Sequence, residues 1–207
     1  MFVSARDEAA ARRTTESIRQ RGRGSGEAFG CDLTSPDSVR AFAAALTDRT
    51  DRLDVLVNNG AGYLHGVDLG DAEDNHIIAT IGGAATGTVL LTKHLLALLR
   101  ASPRPDIVNM ISACGEVGHH RSAAHPAFYA AKRAQAGFAE IMSHRLRAEG
   151  IRVISLFPPD FVQHGPRTAS DNLAAQSVVD CVLFAVSQPR DCCIREFHFE
   201  QVVGPDH

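Results

Sequence analysis

The 207-residue chain has no tryptophan and only two tyrosines, and aromatic residues make up 6% of it. A surface that binds single-stranded nucleic acid by stacking bases needs more rings than that. Positive charge is not in excess either: 21 Lys and Arg stand against 24 Asp and Glu, a formal net charge of −3. Nucleic-acid-binding proteins usually show a basic surplus, so the expectation is no nucleic-acid partner. No apolar run reaches the ~18 residues of a membrane span, which predicts no membrane partner. The opening residues, MFVSARDEAAARR, hold no signal-peptide core. The five cysteines, at 31, 114, 181, 192 and 193, have no metal-ligand spacing. Reduced thiols, no metal and a cytoplasmic setting are expected. What is present is ordinary: 44% hydrophobic and 22% charged residues, enough for a sizeable core in one domain spanning 1–207.

Short apolar runs alternate with longer amphipathic stretches. Strands are predicted over 2–5, 27–31, 53–57, 106–112, 151–157 and 192–202, and helices over 7–20, 36–47, 74–99, 128–149 and 177–187. Asp7 and Ser35 are placed to cap helix starts, with Pro36 at a first helical position and Gly150 as a C-terminal cap. Gly22, Gly24 and Gly26 follow a helix and precede a strand. That order is wrong for a phosphate loop, so they read as a linker. Strand–helix alternation of this kind predicts an α/β fold with a doubly wound, Rossmann-like parallel sheet. Ligands in such sheets bind beyond the carboxyl ends of the strands.

The residues at those ends are therefore the candidates. Arg6 can clamp a phosphate or sit in solvent beside Asp7. Asp32 can accept a proton from a ligand amine or cap a turn. The stretch Asn58-Asn59-Gly60-Ala61-Gly62 can let backbone approach a ligand closely or form an ordinary turn. Ser112 offers a hydroxyl beside Cys114 and Gly115, and Lys132 lies near the start of the following helix.

Order and spacing together resemble the short-chain dehydrogenase/reductase family over essentially the whole chain. LDVLVNNGAG resembles its central strand and NNAG motif, with one extra step. CDLTSPDSV resembles its adenine-side Asp motif, and IVNMISACG the strand carrying its catalytic Ser. AAKRAQAGFAEIMSHRLRAEGIRVISLFPP resembles its catalytic-Lys helix and next strand, and CIREFHFEQV its last strand. The resemblance implies an oxidoreductase that moves a hydride between NADP(H) and a small carbonyl or alcohol. It implies that Arg6 meets the 2′-phosphate and that Asp32 and Leu33 face the adenine. Asn58 and Gly60 would hold the adenosine side, and Pro158, followed by Pro159, would sit beside the nicotinamide. Ser112 would hold the substrate oxygen and Lys132 the nicotinamide ribose. Residues 160–172 would form a substrate lid, and the chain would assemble as a homodimer or homotetramer.

Three departures stand beside the matches. The family's proton-donating Tyr lies four residues before its Lys, and here that position is Phe128. Phe has no proton to give, and losing a positioned general acid costs roughly 10²- to 10⁴-fold in rate. Tyr129 lies three residues before Lys132 and could substitute only if the helix start is distorted, because one residue turns a side chain by about 100°. His119, His120 and His125 are other candidate donors, otherwise read as a solvated loop. The second departure is Ala84, where the family carries an Asn. The third is the absence of a TGxxxGxG turn. The expectation is a sheet lacking its first strand and glycine-rich turn, incomplete at the N-terminus. The strands beginning near Phe2 and Leu53 would then pair directly, or another chain would fill the place between them. These departures support an alternative reading, a catalytically impaired binding or scaffold protein.

Overall fold

The computed structural model describes residues 1–22, 24–66, 68–162 and 173–201. Strand β1 (Phe2–Ala5) leads into α1 (Glu8–Gln20), and β2 (Glu27–Gly30) into α2 (Pro36–Thr47). β3 (Val55–Asn58) precedes α3 (Asp74–Ile81) and α4 (Thr88–Arg100), and β4 (Asp106–Met110) precedes α5 (Pro126–Arg145). β5 (Arg152–Phe157), a two-residue pair β6 (Phe161–Val162) and β7 (Leu173–Ala174), α6 (Ala175–Ser187) and β8 (Glu196–His198) complete the order. The expected caps are present. The Asp7 carboxylate accepts from the Ala9 N–H, and the Ser35 hydroxyl accepts from the Ser38 N–H.

The sheet is parallel but not continuous. One sheet runs β3-β4-β5-β8, with Val57 opposite Val108, Val108 opposite Ile154 and Leu156 opposite Phe197. β1 and β2 form a separate parallel pair. The doubly wound α/β class is as expected, but direct pairing of β1 with β3 does not occur. Val55 and Val57 on β3, the edge strand of this sheet, are consequently 37% and 48% exposed, unusual for β-branched residues of a parallel sheet. β4 and β5 are buried almost throughout and carry the core between α4 and α5.

Three element boundaries differ from expectation for identifiable reasons. α5 starts at Pro126 rather than 128 because the His125 imidazole caps it, its Nδ1 accepting from the Ala127 N–H at 3.1 Å. The last strand shrinks to Glu196–His198. Its expected start is diverted, since the Cys192 carbonyl accepts from Arg152 at 2.9 Å, and residue 202 lies outside the described residues. The helix expected over 74–99 contains a π-helical segment, Gly82–Gly87. Its small residues allow close approach: a Cβ on Gly87 would lie 2.5 Å from the Leu33 carbonyl oxygen.

The whole stretch Asp74–Arg100 is a 27-residue helix long and apolar enough to cross a membrane, by length and composition only. Polar residues such as Asn75, His76, Lys93 and His94 interrupt it, so it contains no long uninterrupted apolar run. In the fold 44% of its most apolar window is buried, and Leu91, Leu95, Leu98 and Leu99 pack in the main core. At the opposite end of the sheet, Arg152 makes two bonds to the buried Asp106 carboxylate, each 2.8 Å. It also donates to the Val186, Gln188 and Pro189 carbonyls. This network ties β4 and β5 to the end of α6.

Candidate active site

The site lies beyond the carboxyl ends of β3, β4 and β5. β4 ends at Met110, and two residues later Ser112 adopts φ 96° and ψ 150°. A side chain in that region costs of order 1–3 kcal/mol, so the surroundings must impose it. They do: the next N–H, from Ala113, is anchored at 2.9 Å on the Pro158 carbonyl that follows β5. The Ser112 hydroxyl accepts from the Cys114 N–H at 3.3 Å and is partly exposed. Gly115 then lets α5 pack directly on this turn. A Cβ there would meet Ile111 Cγ2 at 2.3 Å and the Lys132 carbonyl oxygen at 3.1 Å.

Lys132 projects from α5 and is 4% exposed. Its Nζ donates to the Met110 carbonyl at 2.9 Å and to Gln135 Oε1 at 3.0 Å. Gln135, itself 1% exposed, passes its amide on to the Thr88 hydroxyl at 3.3 Å. Burial pushes the Lys132 amine down to about 8, with the Cys114 thiol acting weakly the other way. Thr88 stands one helical turn after Ala84, which is fully buried. A polar chain Lys132–Gln135–Thr88 therefore occupies the region beside the buried alanine.

Phe128 lies one turn before Lys132, its ring centroid 5.7 Å from Nζ. Ser112, Phe128, Lys132 and Pro158 line one open cavity of about 290 Å³, joined by Tyr63 and Asp160. Tyr129 is directed elsewhere. Its hydroxyl accepts from the Ser122 N–H at 2.9 Å and donates to the Ser122 carbonyl at 3.2 Å. It borders a neighbouring open groove with His119, His120 and Arg133. His125 is fully buried, with Nε2 3.3 Å from the Leu69 carbonyl, so it is a structural cap and not part of a solvated loop.

The residues beyond β1, β2 and β3 form a second group. Arg6 is exposed. The Asp32 carboxylate accepts from both the N–H and the hydroxyl of Thr34, which holds its pKa low, with the Arg6 charge adding to the effect. Leu33 packs against Gly60, where a Cβ would come within 2.6 Å of Leu33 Cδ1. Asn58 is buried and donates to Asn109 Oδ1 at 2.9 Å and to the Thr92 hydroxyl at 3.3 Å, tying β3 to β4 and α4. Among the described residues its own Oδ1 is buried without a hydrogen-bond partner, and the outer edge of β3 beside it pairs with no strand. Residues 163–172, most of the expected lid, lie outside the described residues.

Two site residues escape sequence reasoning. Tyr63 reaches the cavity wall from three residues beyond Gly60, and its only sequence signal is the rarity of tyrosine. Gln135 could have been flagged as an amide three residues after Lys132, on the same helix face.

Together this is a strand-end hydroxyl, a buried amine one loop away and an open cavity between them. That arrangement suits holding a polar oxygen of a small ligand. The short chain dehydrogenase family matches residues 1–169. A granaticin polyketide synthase protein of Streptomyces violaceoruber, provisionally named ketoacyl reductase 1, is 30% identical over 165 residues, which are 76% of this chain and 57% of that protein. The chain spans less than two thirds of the length of the curated relatives it matches. A metagenomic short-chain oxidoreductase solved in complex with NADP superposes with a TM-score of 0.81 at 25% identity, covering 98% of this chain and 86% of that one. An alcohol dehydrogenase from the archaeon Thermococcus sibiricus, complexed with 5-hydroxy-NADP, shares the fold with a TM-score of 0.83 at 16% identity, covering 100% and 88%. The matched segment contains every strand-end residue described above, and the chain belongs to the short chain dehydrogenase family.

Proposed function

We propose that the chain is an NADP(H)-dependent reductase of small carbonyl compounds. The observation that carries this reading is the convergence of Ser112, buried Lys132 and Pro158 on one cavity. The donor set suits both ends of the cofactor. The exposed cation of Arg6 is the group a 2′-phosphate requires, and Asp32 and Leu33 lie beside it on the adenine side. Asn58 and Gly60 support the adenosine side. Lys132 has two N–H bonds committed inward, which leaves its third for a ribose hydroxyl. When bound, the reduced cofactor supplies a hydride. The chain's own part is to hold the carbonyl oxygen on the Ser112 hydroxyl, which stabilises the charge that grows there. Exposed apolar residues on α3–α5, Ile78, Val89 and Ile141, support self-association as a homodimer or homotetramer. Five free cysteines suit a reducing cytoplasm.

One observation favours a second reading. Phe128 occupies the cavity wall where a proton donor is needed, which suits a binding or scaffold protein that has lost the chemistry. Titration with NADPH and NADH, followed by nicotinamide fluorescence, tests the first reading. It predicts tighter binding of NADPH, and Arg6→Ala weakening NADPH about tenfold with little effect on NADH. Binding of neither nucleotide overturns it. For the second reading, Phe128→Tyr converting an inactive wild type into a reductase is the expected signature.

A further inference from the structure

The two tyrosines divide the site's phenols cleanly. Tyr129 commits its hydroxyl to the Ser122 backbone in both directions. Tyr63 instead lines the cavity with Ser112, Phe128 and Lys132, and it is 52% exposed. Its ring meets the Phe128 ring edge-on, with centroids 5.0 Å apart and planes at 67°. Its phenol faces the Ser122 hydroxyl, Asp160 and Cys114, with burial as the main influence, and its pKa lies above the ordinary value. It is therefore protonated at neutral pH. The other candidates lie elsewhere: His119 and His120 border the neighbouring groove with Tyr129, His125 is buried as a helix cap, and the Lys132 amine points to Met110 and Gln135.

We propose that Tyr63 supplies the proton that Phe128 cannot. This inference rests on the reductase reading. As the carbonyl carbon gains a hydride, its carbon–oxygen π pair moves onto oxygen, and the nicotinamide that gave the hydride is oxidised. The Tyr63 O–H bond breaks, its proton bonds to that oxygen, and an alcohol and a phenolate result. The phenolate regains a proton from solvent, to which the residue is half open. The donor has thus moved from α5 to the loop after β3, on the facing side of the same aromatic contact.

With no tryptophan and two tyrosines in the chain, ultraviolet difference absorbance of Tyr129→Phe reads the Tyr63 phenol alone. The experiment combines that titration with NADPH binding and NADPH oxidation by wild type, Tyr63→Phe and Tyr129→Phe over a carbonyl panel. The expected result has three parts. Tyr63→Phe binds NADPH as wild type does, it loses roughly 10²- to 10⁴-fold in turnover, and the basic limb of the wild-type pH–rate profile matches the phenol titration. Wild-type turnover in Tyr63→Phe, loss confined to Tyr129→Phe, or a basic limb near 8, the Lys132 value, overturns the inference. A wild type that binds NADPH but reduces nothing overturns it while leaving cofactor binding intact. A wild type that binds no NADPH overturns the underlying reading, and this inference with it.

Discussion

Replacing Lys132 by Met tests whether the amine is held as described. Its pKa falls from 10.5 to about 8, a difference of roughly 2.5 units. At 1.36 kcal/mol per unit, the folded state disfavours the protonated amine by about 3 kcal/mol. The unfolded chain keeps this proton up to its ordinary pKa, whereas the folded chain releases it near 8. Between those values the unfolded state binds one more proton. Stability therefore rises with pH, by about 1.4 kcal/mol per unit at most. Lys132→Met removes the titrating group and its slope. It also leaves Gln135 Oε1 and the Met110 carbonyl without their donor, at about 1–3 kcal/mol each. The net change at pH 7 is then close to zero, and the pH dependence is the informative quantity. Urea unfolding of both proteins at pH 7, 8, 9 and 10 gives it directly. The expected outcome is a wild type that gains stability relative to the variant by about 2.5 kcal/mol across that range. Parallel curves would refute the placement of the amine.

Other substitutions test the scaffold. Gly115→Ala pushes a methyl group into Ile111 and the α5 backbone, and a loss of about 1–3 kcal/mol is expected in urea unfolding. Asp106→Asn strands the buried Arg152 cation, and a loss of about 3–5 kcal/mol is expected, seen calorimetrically as a Tm lowered by roughly 10 °C. His198 lies between Glu116 and Glu196 and stacks on Phe157, with ring centroids 4.6 Å apart. Burial lowers its pKa, but the two carboxylates outweigh that and the net shift is upward. Its contribution to stability is fully present below the unfolded value of 6.5 and is lost as pH rises through the folded one. The Tm deficit of Glu116→Gln should accordingly be larger at pH 5.5 than at pH 8.5.

Much of the candidate site was legible because its spacing is local. Ser112 with Gly115, and Lys132 with Phe128, are fixed by one turn and one helix, and strand order brings the two together. The ends of α1 and α2 were legible because Asp7 and Ser35 cap by side chains whose role is written in the residue type. Tyr63, Gln135 and the fate of Tyr129 were not legible, since each depends on which loop or helix face packs opposite. His125 looked like a solvated loop residue because imidazole seldom caps a helix. Direct pairing of β1 with β3 was one of two expected outcomes, and its absence depends on tertiary placement that local patterning does not carry. The π-helical segment depends on how closely Gly87 approaches Leu33, a contact between residues more than fifty positions apart.

The most direct measurement of the central claim is the oxidation of NADPH by the whole chain, followed at 340 nm. The test panel is small ketones and aldehydes. The account predicts turnover with at least one of these classes, reduced at least a hundredfold by Ser112→Ala with NADPH binding retained. No oxidation above the enzyme-free rate with any of them would contradict it.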